Sequence, residues 1–142
     1  MSPVQLSYCV MIITVDTSVL LAVLLNEQHK PDIVEATKGH DLQAPFSLDA
    51  EIGYALSAMF KRGRLSFDES HQILTQFAEI PIRRTKLRPV EAIGIAYNHN
   101  IYAYGAYVLD CARQYRSPLL SLDSQMKSIG EKLGLTVLEV SQ

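Results

Sequence analysis

Asp16, Glu51 and Asp123 are the residues whose types and settings suggest chemistry. Asp16 directly follows the short run Met11–Val15, and Asp123 directly follows Pro118–Leu122. Both runs are apolar and compact, as buried parallel strands are. In an open parallel sheet, ligands bind beyond the carboxyl ends of the strands, so the two acids are expected at one rim. Taken singly, each reads equally well as a helix N-cap, since Thr17 or Ser124 follows it and a helical pattern comes next. Two carboxylates at the same rim repel each other, and a cation between them removes that cost. Glu51 lies in the first turns of a further helix, where alone it reads as a partner of the helix dipole. Carboxylates gathered in one pocket point to a hard, oxygen-binding ion, Mg²⁺ or Mn²⁺. Such an ion activates water and offsets the charge that develops in phosphodiester hydrolysis. Zinc is disfavoured, because Cys9 and Cys111 have no CxxC or Cys/His spacing. They read as free thiols of a reducing cytoplasm.

The elements that must position these acids alternate. The strand at Met11–Val15 is followed by helices over Val19–Asn26 and Asp32–Lys38, the second opened by Pro31 and closed by Gly39. Leu42–Ala44 reads as a strand. Ser47 opens a helix with an apolar face at Ile52, Ala55, Leu56 and Met59. Ser66 with Glu69 three residues on is a capping box, and Ile73, Leu74 and Phe77 form the stripe of the helix that follows. Ile80–Ile82 is a weak strand. Helices follow over Pro89–Ala96 and Tyr104–Tyr115, then the strand Pro118–Leu122, the helix Met126–Leu133 and a last strand, Leu135–Val140. This order predicts an α/β fold, a central parallel sheet with helices on both faces.

The chain has 142 residues, 48% of them hydrophobic and 20% charged, which fits one ordinary globular domain. The formal net charge of −2 means that any grip on nucleic acid must come from local positive charge or from a metal. Two local groups qualify: Lys61, Arg62 and Arg64 at a helix end, and Arg83, Arg84, Lys86 and Arg88. They read as a phosphate-gripping rim or simply as solvated charge. No run is long enough to span a membrane. Residues 1–10 read as an extension ahead of Met11, either a start placed too early, a leftover of cloning or a real arm.

Four segments in order resemble the motifs of PIN-domain toxins of the VapC type. They are Val15–Ala22, Ala44–Ile52 with Ala55-Leu56, Tyr102–Tyr107 with Cys111-Ala112, and Ser117–Asp123; the ending Leu133–Leu138 also fits. The resemblance runs from about Met11 to Val140. It implies a single PIN domain over 11–142 and a cytoplasmic endoribonuclease that cuts RNA with Mg²⁺ or Mn²⁺. A cognate VapB-type antitoxin would inhibit it, and it would form a homodimer. Carried over by position, Asp16, Glu51 and Asp123 would bind metal, with Ser18 and Ser121 supporting them. From the local clustering of positive charge, and not from the resemblance, Lys61, Arg62, Arg64, Arg83 and Arg84 are the residues expected to hold RNA.

Two positions depart from the family pattern. Gly105 stands where the third motif carries an Asp, so one expected metal ligand is absent. Tyr54 stands where Asn is common. Asp110 is five residues beyond Gly105, about 140° around and roughly 7.5 Å along a helix, so it is expected on a solvated face rather than in the pocket. Asp49 is likewise expected to point elsewhere. A weakened nuclease follows, or a catalytically silent homologue that acts by binding antitoxin or RNA. A phosphoacceptor receiver fold is disfavoured, since Asp16 stands without a neighbouring acid and Lys127 falls in a helix.

Overall fold

The computed structural model describes residues 9–140. Four strands, β1 (Ile12–Val15), β2 (Asp41–Pro45), β3 (Ile82–Thr85) and β4 (Leu119–Leu120), form one sheet in the order β3-β2-β1-β4. All three pairings are parallel. Seven helices lie among the described residues: α1 (Thr17–Leu24), α2 (Lys30–Thr37), α3 (Leu48–Lys61), α4 (Phe67–Glu79), α5 (Pro89–His99), α6 (Ala103–Tyr115) and α7 (Ser124–Lys132).

Side chains alternate across β1 with the period of a strand. Ile13 and Val15 pack into one apolar core with residues of α1 to α4, including Leu20, Ile52 and Phe77. A second core joins α5, α6 and α7 through Ile95, Leu109 and Ile129, with Leu119 from the sheet. Thr14, between Ile13 and Val15, contacts the α6 side instead. Its hydroxyl lies 2.8 Å from Ser117 Oγ and accepts from Gln43 Nε2 at 3.0 Å. Thr85 donates to Cys111 Sγ at 3.2 Å. A small polar seam of Thr14, Gln43 and Thr85 therefore runs through the otherwise apolar sheet.

Three strands differ from the sequence reading, the first being Pro118–Leu122, which is shortened to Leu119–Leu120. The expected strand at Ile80–Ile82 is displaced to Ile82–Thr85, because Pro81 has no N–H to give a ladder, and the pairing runs from Leu42↔Ile82 to Pro45↔Thr85. The expected last strand, Leu135–Val140, is reduced to a single parallel bridge, Leu119↔Val137. It is held by Leu119 N–H to Thr136 O at 2.8 Å and Leu138 N–H to Leu119 O at 2.9 Å. Its neighbour among the described residues, β4, spans two residues, too few for a longer ladder.

The capping box of α4 forms in full, Ser66 with Glu69. Ser47 precedes α3 but makes no side-chain cap bond. Of the expected extension, residues 1–8 lie outside the described residues, and Cys9 and Val10 belong to no regular element. Among the described residues, no helix is long and apolar enough to cross a membrane.

Candidate active site

Strands β1 and β4 run side by side and end together, so Asp16 and Ser121–Asp123 emerge at one rim. Asp16 caps α1, its Oδ1 accepting from Val19 N–H at 3.2 Å. Two serines complete its shell. Ser18 Oγ donates to Asp16 Oδ1 and accepts from Leu122 N–H at 3.1 Å. Ser121 Oγ donates to Asp16 Oδ2 and accepts from Asp123 N–H at 3.0 Å. Each hydroxyl thus relays a backbone N–H of the loop after β4 onto one oxygen of Asp16. The carboxylate, 7% exposed, is held against rotation from both sides.

Asp123 is exposed and caps α7 through Met126 N–H at 3.0 Å. Glu51, half-buried on the first turn of α3, completes the set. Asp16, Glu51 and Asp123 line one hollow of about 200 Å³ together with Thr17, Ser18, Gly105 and Met126. Within it, burial pushes the Asp16 carboxyl above its ordinary pKa. The hydroxyls of Ser121 and Ser18 and the Val19 N–H oppose that shift, and the Asp123 charge adds to it. Burial likewise pushes Glu51 up, with Thr17 and Ser47 opposing and Asp16 adding repulsion. The Thr17 and Ser47 hydroxyls reach no hydrogen-bonding geometry, so Thr17 Oγ1, Ser47 Oγ and Glu51 Oε2 are all buried without a partner. Such orphaned oxygens are costly unless a water or an ion satisfies them.

The donors here are all oxygen, which suits a hard divalent cation and not zinc. Their arrangement is sparse, however. Among the described residues, no three His, Cys, Asp or Glu side chains are gathered tightly enough to hold one metal ion. A cation here would therefore have fewer than three of these carboxylates and would complete its shell with water. Gly105 supplies no side chain, and Met126 Sδ stands 3.0 Å from where its Cβ would be.

The sequence matches the family described as PIN domain over residues 13–132. The chain belongs to the PIN domain family. PIN domains are generally nucleases that use divalent metals. Among solved structures, this PIN domain resembles PAE2754 from Pyrobaculum aerophilum with a TM-score of 0.65 and 17% identity, over 88% of this chain and 95% of that one. It also resembles a chain of VapBC2 from Rickettsia felis, solved bound to a DNA fragment from their promoter. That TM-score is 0.64 at 12% identity, over 92% of this chain and 100% of that one. At such identities the likeness is one of fold. No curated protein matches the chain.

Other acids of the PIN domain are engaged elsewhere. Asp110 was expected on a solvated face but is 2% exposed. It is buried because Arg88 reaches it with two hydrogen bonds, Nε at 3.0 Å and Nη2 at 2.7 Å, and Arg113 Nη2 adds a contact at 3.8 Å. Asp49 is paired with Arg84 through bonds of 3.0 and 2.9 Å, and that guanidinium holds its carboxyl below the usual range. Neither acid replaces the one missing at Gly105.

The basic residues divide in the same way. Arg84 is spent on Asp49 and on the Phe77 ring, 5.4 Å away. Arg83 lies over the Tyr115 ring and lines a hollow with Ile12 and Asp41 at the amino ends of the strands, the rim opposite the acids. Lys61, Arg62 and Arg64 are exposed at the end of α3.

Thr17, Ser47 and Met126 went unnoticed in the sequence as site residues. Thr17 sits within the Asp-Thr-Ser motif, which is the one signal that marked it. Met126 carried none, because an isolated Met on a helix reads as core.

Proposed function

We propose that this PIN domain is the toxin of a VapBC-type pair, an endoribonuclease that needs Mg²⁺ or Mn²⁺ and works with a depleted acidic site. The observation that carries the reading is the Asp16 carboxylate, fixed by Ser18 and Ser121 in a hollow shared with Glu51 and Asp123. An uncharged Asn would cap α1 as well, so a charge kept buried opposite two other acids points to a functional use of that charge.

Asp16 and Asp123 would hold the cation. Three of the four lone-pair positions on Asp16 are used by Val19, Ser18 and Ser121, which leaves one open on Oδ2. A bound Mg²⁺ or Mn²⁺ supplies water of lowered pKa and charge neutralisation at the phosphate. Glu51 Oε2, buried and unpartnered with its pKa raised, would be the base that accepts a proton at this site. Lys61, Arg62 and Arg64 hold the RNA backbone. The partner is a cognate VapB-type antitoxin in the cytoplasm, and the family leads us to a homodimer.

A second reading has its own observation. Met126 fills the space beside Gly105, which fits a silent homologue that binds antitoxin or RNA without cutting. The two are separated by incubating the purified chain with single-stranded RNA and Mn²⁺. Slow cleavage that EDTA stops and that Asp123→Asn reduces supports the nuclease. No cleavage above an Asp16→Asn control overturns it in favour of the silent homologue.

A further inference from the structure

Beside the acidic hollow lies a larger groove of about 730 Å³, lined mainly by Tyr54, Tyr102 and Tyr104 with Glu51 and Thr17 at its inner end. The tyrosines are 77%, 91% and 53% exposed, a large aromatic surface to leave in water. Glu51 and Thr17 line both this groove and the acidic hollow, so the two adjoin. At the other end, Tyr54 also lines a hollow of about 380 Å³ with Lys61 and Arg62. Glu51, Tyr54 and Lys61 fall on one stripe of α3, and Lys61 lies ten residues beyond Glu51, about 15 Å along the helix axis. Acid, aromatic and basic surfaces therefore succeed one another along a single track.

Resting on the nuclease reading, we propose that this track takes single-stranded RNA, with unpaired bases stacked on Tyr54, Tyr102 and Tyr104 and the onward backbone held by Lys61 and Arg62. Tyrosine suits the role, since its ring offers a face to any base and its hydroxyl tolerates water. The basic end matches phosphate charge, whereas the aromatic middle carries no charge for a phosphate to meet. A duplex keeps its bases stacked inside and offers the tyrosines nothing. The groove thus selects unpaired segments and leads the chain toward Glu51.

The test is binding of a short fluorescent oligouridylate in EDTA, read by anisotropy, beside the same ribose-phosphate strand without bases and an RNA duplex. The base-bearing single strand is expected to bind roughly tenfold more tightly than the abasic one. Tyr54→Ala and Tyr102→Ala each remove most of that difference and leave the abasic strand unchanged. Tyr97→Ala, at an exposed tyrosine lining neither hollow, changes neither. Equal affinity for abasic and base-bearing strands overturns the proposal. So does a Tyr54→Ala variant that alters self-association at unchanged RNA affinity, because the groove would then cover a second copy. Cleavage is not part of the readout. A chain that stacks bases but never cuts refutes the nuclease reading and leaves this one standing, and a chain that cuts with indifferent tyrosines does the reverse.

Discussion

Met126 Sδ stands 3.0 Å from the point where a Cβ on Gly105 would lie, with Ile101 Cδ1 at 3.6 Å. The gap left by the absent acid is thus partly closed by the first turn of α7. Met126 is 8% exposed and belongs to the core beneath α5 to α7. A thioether is pliable, and a few tenths of an ångström would admit a new side chain.

Gly105→Asp is therefore expected to fold, at a cost of about 1 kcal/mol for crowding Met126. It adds a carboxylate to a hollow short of ligands. Mn²⁺-dependent RNA cleavage should rise by about tenfold or more, the scale at which support around a metal matters. Matched cleavage assays check this. Equal rates in the two proteins would mean that the absent acid is not what limits the site.

Asp16→Asn keeps the N-cap of α1, because Asn caps as well as Asp. It removes a charge whose native pKa lies above its ordinary value. Between those two values the native state binds more protons than the unfolded one, so stability falls as pH rises through that window. In metal-free buffer at neutral pH, Asp16→Asn should melt at a higher temperature than the native sequence. The gap should close as pH drops into the ordinary carboxylate range. Thermal melts across pH measure it, and a variant that melts lower at neutral pH contradicts the burial account.

Arg88 compensates Asp110, which is buried with a 32%-exposed partner side chain. Arg88→Ala leaves that carboxylate with only the longer Arg113 contact and should lower stability measurably in denaturant unfolding. Asp110→Asn should cost less, since no buried charge remains. RNA cleavage per folded molecule should be unchanged in both. A loss for Arg88→Ala within experimental error of zero would show the pair to be dispensable.

Lys61 and Arg62 are exposed at the end of α3, whereas Arg84 is engaged by Asp49. Replacing Lys61 and Arg62 by Ala should lower the slope of log affinity against log salt for single-stranded RNA by about 1.4, at roughly 0.7 for each phosphate contact. Arg84→Ala should leave the slope as it is. The reverse pattern would move the phosphate-binding surface to β3.

Much of the frame was legible because it depends on local signals. The run before Asp16, the capping box of Ser66 and Glu69, and the apolar face of α3 each carry their own pattern, and each forms. The last strand did not form, because an apolar run needs a partner strand of matching length and β4 offers two residues. Asp110 was misplaced for a related reason. Helical geometry gave its direction, but only the fold brings Arg88 within 2.7 Å from 22 positions away. The pairing of each serine with one Asp16 oxygen joins residues up to 105 positions apart, and the filling of the Gly105 gap by Met126 is likewise a matter of packing.

Calorimetric titration of Mn²⁺ into the native chain and into Asp16→Asn tests the centre of this account. Asp16, pinned by its two serines, should support a single weak site per chain that disappears in the variant, with no other site taking its place. Identical titrations of the two proteins, with or without heat, would show that Asp16 holds no metal.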